Sequence, residues 1–270
     1  MKRVLITGHK GYIGQHLRKM ITNTRPDIEL CGIDINDEHY RDIRTVKQYY
    51  RDGEVLDFHT IIHLAALVRV GESVNHPTQY YDVNVNGTLN ILTQFRHHNF
   101  IFASTGAASN PDSPYGFSKR IAEDIVKEKA YDYTIFRFYN VIGSDGFEPT
   151  NPDGLFYNLK HNNTGTYNIY GNDYNTKDGT CVREYVHVND ICAAIIKAID
   201  EPSNSIENLA YGDTRTVKEI VEIFCDVNGY DKPTFNYLPR RKGDLEACYL
   251  DKPSLYMNRH YSYNEMLKYK

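Results

Sequence analysis

Short apolar runs of strand length alternate with segments of helical periodicity through the first half of the chain. Arg3–Thr7, Glu29–Asp34, Thr60–Leu64, Asn99–Ser104 and Tyr133–Tyr139 read as strands. Between them Tyr12–Thr22, Val46–Tyr50, Pro77–His98 and Tyr115–Ala130 read as helices. Such alternation predicts an α/β fold, a Rossmann-like doubly wound parallel sheet that takes ligands at the carboxyl ends of its strands. After Asn140 the texture changes. Residues 143–180 are rich in Gly, Asn, Asp and Tyr and predict loops and short strands. A helix over Val188–Asp200, a strand over Asn208–Tyr211 and a helix over Thr216–Gly229 follow, the last with capping chemistry at Thr216 and Glu219. The expected division is a larger domain over 1–142 with about 188–200, and a smaller mixed α/β domain over 143–187 and 201–270.

Composition narrows the function classes. A formal charge of −4 over 270 residues argues against general nucleic-acid binding, so an anionic ligand would need a local basic cluster. No apolar stretch approaches the ~20 residues that cross a bilayer. The strand-like run begins at Arg3 with no apolar leader before it, and the expectation is a cytoplasmic protein. Cys31, Cys181, Cys192, Cys225 and Cys248 show no paired spacing, so neither a metal site nor a disulfide framework is expected.

Chemistry enters at the first turn. Thr7-Gly8-His9-Lys10-Gly11-Tyr12-Ile13-Gly14 joins the first strand to the first helix. Glycines there let backbone approach a pyrophosphate while the helix N-terminus faces its charge. The spacing is G-x-x-G-x-x-G, and glycine runs also mark plain tight turns; placement between strand and helix favours the dinucleotide reading. Asp34 closes the second strand, where a carboxylate accepts from ribose hydroxyls and repels a 2′-phosphate, favouring NAD. Asp42 and Ile43 are weaker candidates for the adenine, one reading its amine and the other packing its ring. Farther on, Tyr115 and Lys119 stand four apart at the start of a helix and so share a face. An ammonium near a phenol is expected to lower its pKa from ~10 toward neutrality, making a base for a sugar hydroxyl. The strand Phe100–Ala103 delivers Ser104 and Thr105 to the same edge, where a hydroxyl can share the reacting proton with Tyr115.

These motifs, in this order, resemble the extended short-chain dehydrogenase/reductases. Several further stretches resemble the UDP-glucose 4-epimerases within that family. They are Val70–Val74, Tyr80–Thr88, Gly171–Tyr174, Asp178–Val188 and Pro239–Leu245. The resemblance implies a two-domain, dimeric enzyme holding NAD. Thr105, Tyr115 and Lys119 would be catalytic, with Tyr115 removing the 4-hydroxyl proton while C4 gives its hydride to NAD. Gly8, Gly11, Tyr12, Ile13, Gly14, Leu64, Ala65, Ala66, Asn84, Ser104 and Phe138 would line the cofactor, and Lys119 would hold the nicotinamide ribose. Asn140, Asn168, Tyr170, Arg183, Arg241 and Asp244 would line the UDP-sugar, Arg183 and Arg241 being the basic groups a diphosphate needs. Cys248 falls where the family bounds the sugar pocket, and a small residue there leaves room for an N-acetyl group. The helices over Pro77–His98 and Tyr115–Ala130 would form the homodimer surface, although their apolar faces fit a domain core equally well.

Departures from the family are local. Only eight positions take Asp34 to Asp42 and ten take Thr105 to Tyr115, and Val68 stands where these epimerases offer the cofactor a lysine. A looser hold on NAD is therefore expected. A 4,6-dehydratase, a decarboxylase or a reductase could use the same scaffold; the first needs an acidic pair after the threonine, where Gly106-Ala107 stand here. The non-enzyme alternative is an NAD-binding scaffold or sensor, against which the joint presence of Thr105, Tyr115 and Lys119 weighs.

Overall fold

The computed structural model describes residues 1–38, 41–51, 53–241, 244, 246–248 and 254–268. In chain order the elements begin β1 (Lys2–Thr7), α1 (Tyr12–Thr24), β2 (Ile28–Ile33), β3 (Tyr50–Arg51), β4 (Glu54–Val55) and β5 (Phe58–His63). Next come α2 (Val70–Asn75), α3 (Pro77–Tyr81), a π-helical turn (Asp82–Asn86), α4 (Gly87–Gln94), β6 (His97–Thr105), a 3-10 turn (Gly106–Ala108), α5 (Pro114–Lys129) and β7 (Asp132–Phe138). The remainder holds β8 (Asn140–Ile142), α6 (Leu155–His161), β9 (Thr166–Tyr170), β10 (Val182–His187), α7 (Val188–Asp200), β11 (Ser205–Leu209) and β12 (Thr214–Thr216). It closes with α8 (Val217–Val227), β13 (Thr234–Leu238), β14 (Ala247–Cys248) and α9 (Tyr263–Leu267).

The chain divides into two compact units, Met1–Arg137 with Cys192–Glu207, and Phe138–Ile191 with Asn208–Lys270. The first is built on a six-stranded sheet in the order β11-β7-β6-β5-β1-β2. β1 pairs with β2 and with β5, and β5 with β6, all in parallel. This is the doubly wound order without the outer strand that normally follows β2. Strands in such a sheet are covered on both faces, which is why β1, β5 and β6 read as continuous apolar runs. Their side chains Leu5, Phe58, Ile61, Phe100 and Phe102 meet Ile91 of α4 and Ala122 and Val126 of α5 in one core. Each large side chain so buried stabilises the fold by ~1.5–3 kcal/mol.

The second unit carries short sheets, β12-β10-β14 with β8 on β10, and the parallel pair β13-β9. Its own core gathers Ile142, Phe156, Ile169, Tyr185, Phe224 and Met266. The Thr216 capping box is present: its hydroxyl accepts the Glu219 N–H, and the Glu219 carboxylate accepts the Thr216 N–H.

Four local expectations are corrected. Val46–Tyr50 is not helical, because Asn90 Nδ2 donates to the carbonyls of Ile43 (2.8 Å) and Val46 (2.7 Å) and claims the backbone a helix would use. Pro77–His98 is not one helix: the π turn divides it, α4 ends at Gln94, and β6 already begins at His97. The strand expected over Asn208–Tyr211 starts three residues earlier, at Ser205–Leu209, and the helix expected over Thr216–Gly229 ends at Val227.

Candidate active site

At the turn after β1 the glycines do two different things. Gly8 has φ +73°, and a Cβ there would lie 2.8 Å from the Ala65 nitrogen; a Cβ on Gly14 would lie 2.3 Å from the Gly8 oxygen. Both positions are closed to any side chain. Gly11 differs, for a Cβ there would meet only the Gly8 oxygen, at 3.2 Å. It is also the N-cap of α1, with no side-chain cap and no acidic residue in the first turn. Bare N–H groups at a helix start, beside an open cradle, suit an anion. Tyr12 is half-buried, its ring edge-on to His16 (5.0 Å), and Ile13 lies beside it in the first turn.

Asp34 is buried and fixed in direction. Its Oδ2 accepts the Lys10 N–H (2.9 Å) and its Oδ1 the Asn36 N–H (3.0 Å). Asp37 braces the same loop, accepting the Asp34 N–H at 2.8 Å while its other oxygen meets His9 at 2.9 Å. The two weaker adenine candidates are otherwise engaged. Arg44 grips the Asp42 carboxylate through Nε (3.1 Å) and Nη2 (2.6 Å) and holds it below the usual carboxylate range. The Ile43 side chain is a core residue packed over Gly87.

From β1 to α5 runs a chain of hydrogen bonds that sequence reasoning missed. The Ala65 N–H donates to Thr7 Oγ1 (3.2 Å), and the Thr7 hydroxyl meets His63 Nδ1 (2.7 Å). His63 Nε2 meets Thr88 Oγ1 (3.0 Å), whose own proton goes to the Asn84 carbonyl (2.7 Å). Only the Nε2–H tautomer of His63 satisfies every member. The Asn84 carboxamide then clamps the loop after β5: Oδ1 accepts the Leu67 N–H (2.8 Å), and Nδ2 donates to the Leu67 carbonyl (2.9 Å) and to Ser118 Oγ (3.0 Å). Ser118 in turn donates to the Tyr115 carbonyl (2.8 Å). Asn84, expected at the cofactor, is a bracket with both amide protons spent inside the protein. The clamp holds Leu64, Ala65 and Ala66, half-buried beyond the carboxyl end of β5.

α5 opens with Ser113 as N-cap, its Oγ accepting the Gly116 N–H at 3.2 Å, and Pro114 at the first helical position. That start brings Tyr115 and Lys119 inward, both more than nine-tenths buried. The Thr105 hydroxyl, at the end of β6, accepts the Ala107 N–H (3.3 Å) and favours the ionised form of the Tyr115 phenol. Tyr80 packs edge-on against the Tyr115 ring at 6.3 Å, and its own hydroxyl is anchored by Glu72 (2.9 Å) and the Arg69 carbonyl (2.8 Å). Lys119 Nζ lies 4.1 Å from the centre of the Phe102 ring. The expected acidification of Tyr115 by Lys119 gives way to another balance. Burial pushes the phenol up to about 12, opposed by the Thr105 hydroxyl, and burial pushes Lys119 down to about 7, opposed by the Glu123 carboxylate. Desolvation penalises whichever form is charged, so it moves an acid up and a base down. Ser104, expected at the cofactor, donates instead to Glu123 Oε1 at 2.5 Å. Glu123 is fully buried and gripped by Arg137 through Nε (2.8 Å) and Nη2 (2.6 Å). Phe138 is half-buried at the end of β7.

In the second unit, Arg241 lies over the Tyr170 ring at 3.6 Å and donates to the Asp153 carbonyl (3.3 Å). The Asp244 N–H closes a turn onto the Arg241 carbonyl (3.2 Å). Arg183 of β10 stands opposite Cys248 of β14 in the parallel register, its guanidinium donating to the Val182 carbonyl (2.9 Å). Asn168 is exposed and accepts from Asn236 (2.9 Å), and Asn140 donates to the Glu184 carbonyl (3.0 Å). Lys242, Gly243, Leu245 and the Cys248 side chain lie outside the described residues.

Residues 4–211 match the model of the NAD dependent epimerase/dehydratase family. The UDP-glucose 4-epimerase of Haemophilus influenzae is 30% identical over 305 residues, covering 93% of this chain and 90% of the relative. The structure of UDP-glucose 4-epimerase from Bifidobacterium longum with NAD+ and UDP superposes with a TM-score of 0.84 at 23% identity, over 98% of this chain and 96% of that one. The UDP-Glc/GlcNAc 4-epimerase of Campylobacter jejuni gives 0.76 at 25% identity, over 99% and 97%.

Proposed function

The chain belongs to the NAD-dependent epimerase/dehydratase family, and from that premise we propose that it inverts C4 of a UDP-hexose, interconverting UDP-glucose and UDP-galactose with NAD as cofactor. The observation that carries this is Thr105, at the end of β6, acting on the buried Tyr115 phenol, with buried Lys119 one turn further along α5. Similarity to UDP-glucose 4-epimerases over nearly the whole chain supports the same reading.

The residues fit the cofactor. The open side of Gly11, the uncapped start of α1 and the oriented Asp34 carboxylate would hold its pyrophosphate and adenosine ribose. Lys119 would hold the nicotinamide ribose. When bound, NAD supplies reversible hydride acceptance at C4, together with the positive charge of its oxidised ring. The rest is the work of side chains. A buried phenol at about 12 is a poor base, so positive charge close to Tyr115 must favour its ionised form before it takes the 4-hydroxyl proton. Thr105 favours the ionised form of the same phenol and would steady the developing phenolate. Tyr80 and the Asn84–Ser118 bracket fix Tyr115 in place. Arg183, Arg241 and Asp244 would bind the UDP moiety in the second unit, with Tyr170, Asn140 and Asn168 beside them.

A homodimer goes with this reading. Phe117 and Ile121, four apart on α5, and Leu89 on α4 are exposed apolar residues of a face that a second copy would cover. A cytoplasmic location is proposed as well, the buried thiols of Cys181, Cys192 and Cys225 suiting a reducing compartment.

Incubation with UDP-galactose, and separately with UDP-N-acetylgalactosamine, followed by identification of the sugar products, tests the function. Conversion to the gluco configuration is expected. An unchanged sugar in protein replete with NAD, or a keto-deoxy product, would reject it. Because Cys248 is a small residue at the position where the family bounds the sugar pocket, both substrates should turn over, and Cys248→Tyr should suppress the N-acetyl one selectively. Equal loss on both would remove the substrate-range assignment.

A further inference from the structure

Beneath the catalytic pair lies a charged group that the proposed reaction does not use. Glu123 sits on α5 one turn beyond Lys119, fully buried, where an apolar residue would pack more cheaply. Its carboxylate receives three hydrogen bonds: one from Ser104 Oγ at 2.5 Å and two from the Arg137 guanidinium, at 2.8 and 2.6 Å. A buried ion pair of this kind adds little to stability compared with an apolar pair of the same volume, so stability alone does not account for it. Two of its neighbours touch the chemistry. Ser104 precedes Thr105, whose hydroxyl acts on the phenol, and Lys119 shares the helix face with both Tyr115 and Glu123.

We propose that Glu123 is a positioning residue for the epimerisation: fixed between Ser104 and Arg137, its carboxylate keeps Lys119 charged beside Tyr115 and so sets the pH range in which Tyr115 works as a base. The surroundings of Lys119 leave that task to Glu123. From β5 comes His63, held neutral by burial, with a pKa of about 3. From β6 come the Phe102 ring and Ser104, neither ionised. On α5 itself Tyr115 is neutral at physiological pH, and Tyr80, against it from α3, is raised further still by its own burial. Arg137 on β7 is cationic and is paired with Glu123 itself. Glu123 is the carboxylate acting on Lys119 in the described structure, and it raises the lysine against the loss of hydration. A lysine poised near neutrality responds most to one neighbouring charge, so a small displacement decides whether it is ammonium or amine at working pH.

The activity consequence rests on the function proposed above, and the charge relation does not, so the test reads both. Protein labelled with 13Cε-lysine is titrated by NMR, the Lys119 signal being assigned by its loss in Lys119→Met. E123Q/R137M removes the carboxylate without stranding a buried arginine, and E123M/R137M does so with two apolar side chains should the first not fold. Either folded variant is expected to lower the Lys119 midpoint by about one pH unit. The alkaline limb of kcat/KM should move down with it, since Lys119 then loses its proton earlier. Glu123→Asp retains the charge and should keep both near wild type. A folded double variant titrating within about 0.2 units of wild type would overturn the proposal, as would Glu123→Asp shifting as far as the double variants. If the wild type turns over no UDP-sugar, the function fails while the NMR titration still judges Glu123.

Discussion

At Nδ1 of His63 a proton would face the hydroxyl proton that Thr7 already donates, and the sequence of donors from Ala65 to Asn84 would break there. Burial adds to this, holding the folded-state pKa at about 3 against an ordinary 6.5. The unfolded chain therefore binds a proton near 6.5 that the folded chain refuses until about 3. Stability is complete above that window and is lost as pH falls through it, at roughly 1.4 kcal/mol per unit. His63→Gln, which keeps a donor and an acceptor but cannot titrate, is expected to be less stable at pH 7. Its deficit relative to wild type should shrink by about that amount per unit on acidification. Urea unfolding of both proteins from pH 7 to 4 measures it, and parallel curves would refute the neutral ring. Single residues were also where the sequence said least. Tyr115, Lys119 and Thr105 declare themselves by spacing, but His63 lies within an apolar strand and looks like any core position. Glu123 left one signal, a charge on the face of α5 that also carries Ala122 and Val126.

The start of α5 links local sequence to the reaction more directly than any other element boundary. Ser113 caps it, Pro114 fixes the first turn, and Tyr115 follows at once, so the phenol's position depends on where the helix begins. Ser113→Ala should cost ~1 kcal/mol of stability. It should also lower kcat more than it raises KM, because it displaces a reacting group while leaving UDP contacts alone; thermal melting with steady-state kinetics checks this, and unchanged kcat would count against it. Elements defined by their own residues were legible in advance: the glycine turn into α1, the apolar strands β1, β5 and β6, and the capping box of α8. Elements defined by distant partners were not. The segment after Asp42 is held open by Asn90, more than forty positions away, and the π turn at Asp82–Asn86 places Asn84 on the loop after β5. Period-3.6 patterning cannot register either contact.

Across the whole molecule, the expected dimer has a direct check. Phe117→Glu with Ile121→Lys puts unlike charges on the exposed face of α5 without touching Tyr115 or Lys119. Sedimentation should then show monomer where the wild type is dimeric, and a wild type that is already monomeric would refute the assembly. The doubly wound parallel sheet was legible from the alternation of patterns, and its early stop at β2 from the short interval between Asp34 and Asp42. That stop has a further consequence. No described strand pairs with the outer side of β2, and a bare sheet margin invites another chain to add itself. Beside Leu30, Cys31 and Gly32 runs a hollow of about 420 Å3 rimmed by Lys10, Arg18 and Arg41 and by the carboxylates of Asp37 and Glu38. Charged side chains along an open margin keep water on it and discourage a second edge from pairing there, so the shortened scaffold guards this flank with charge.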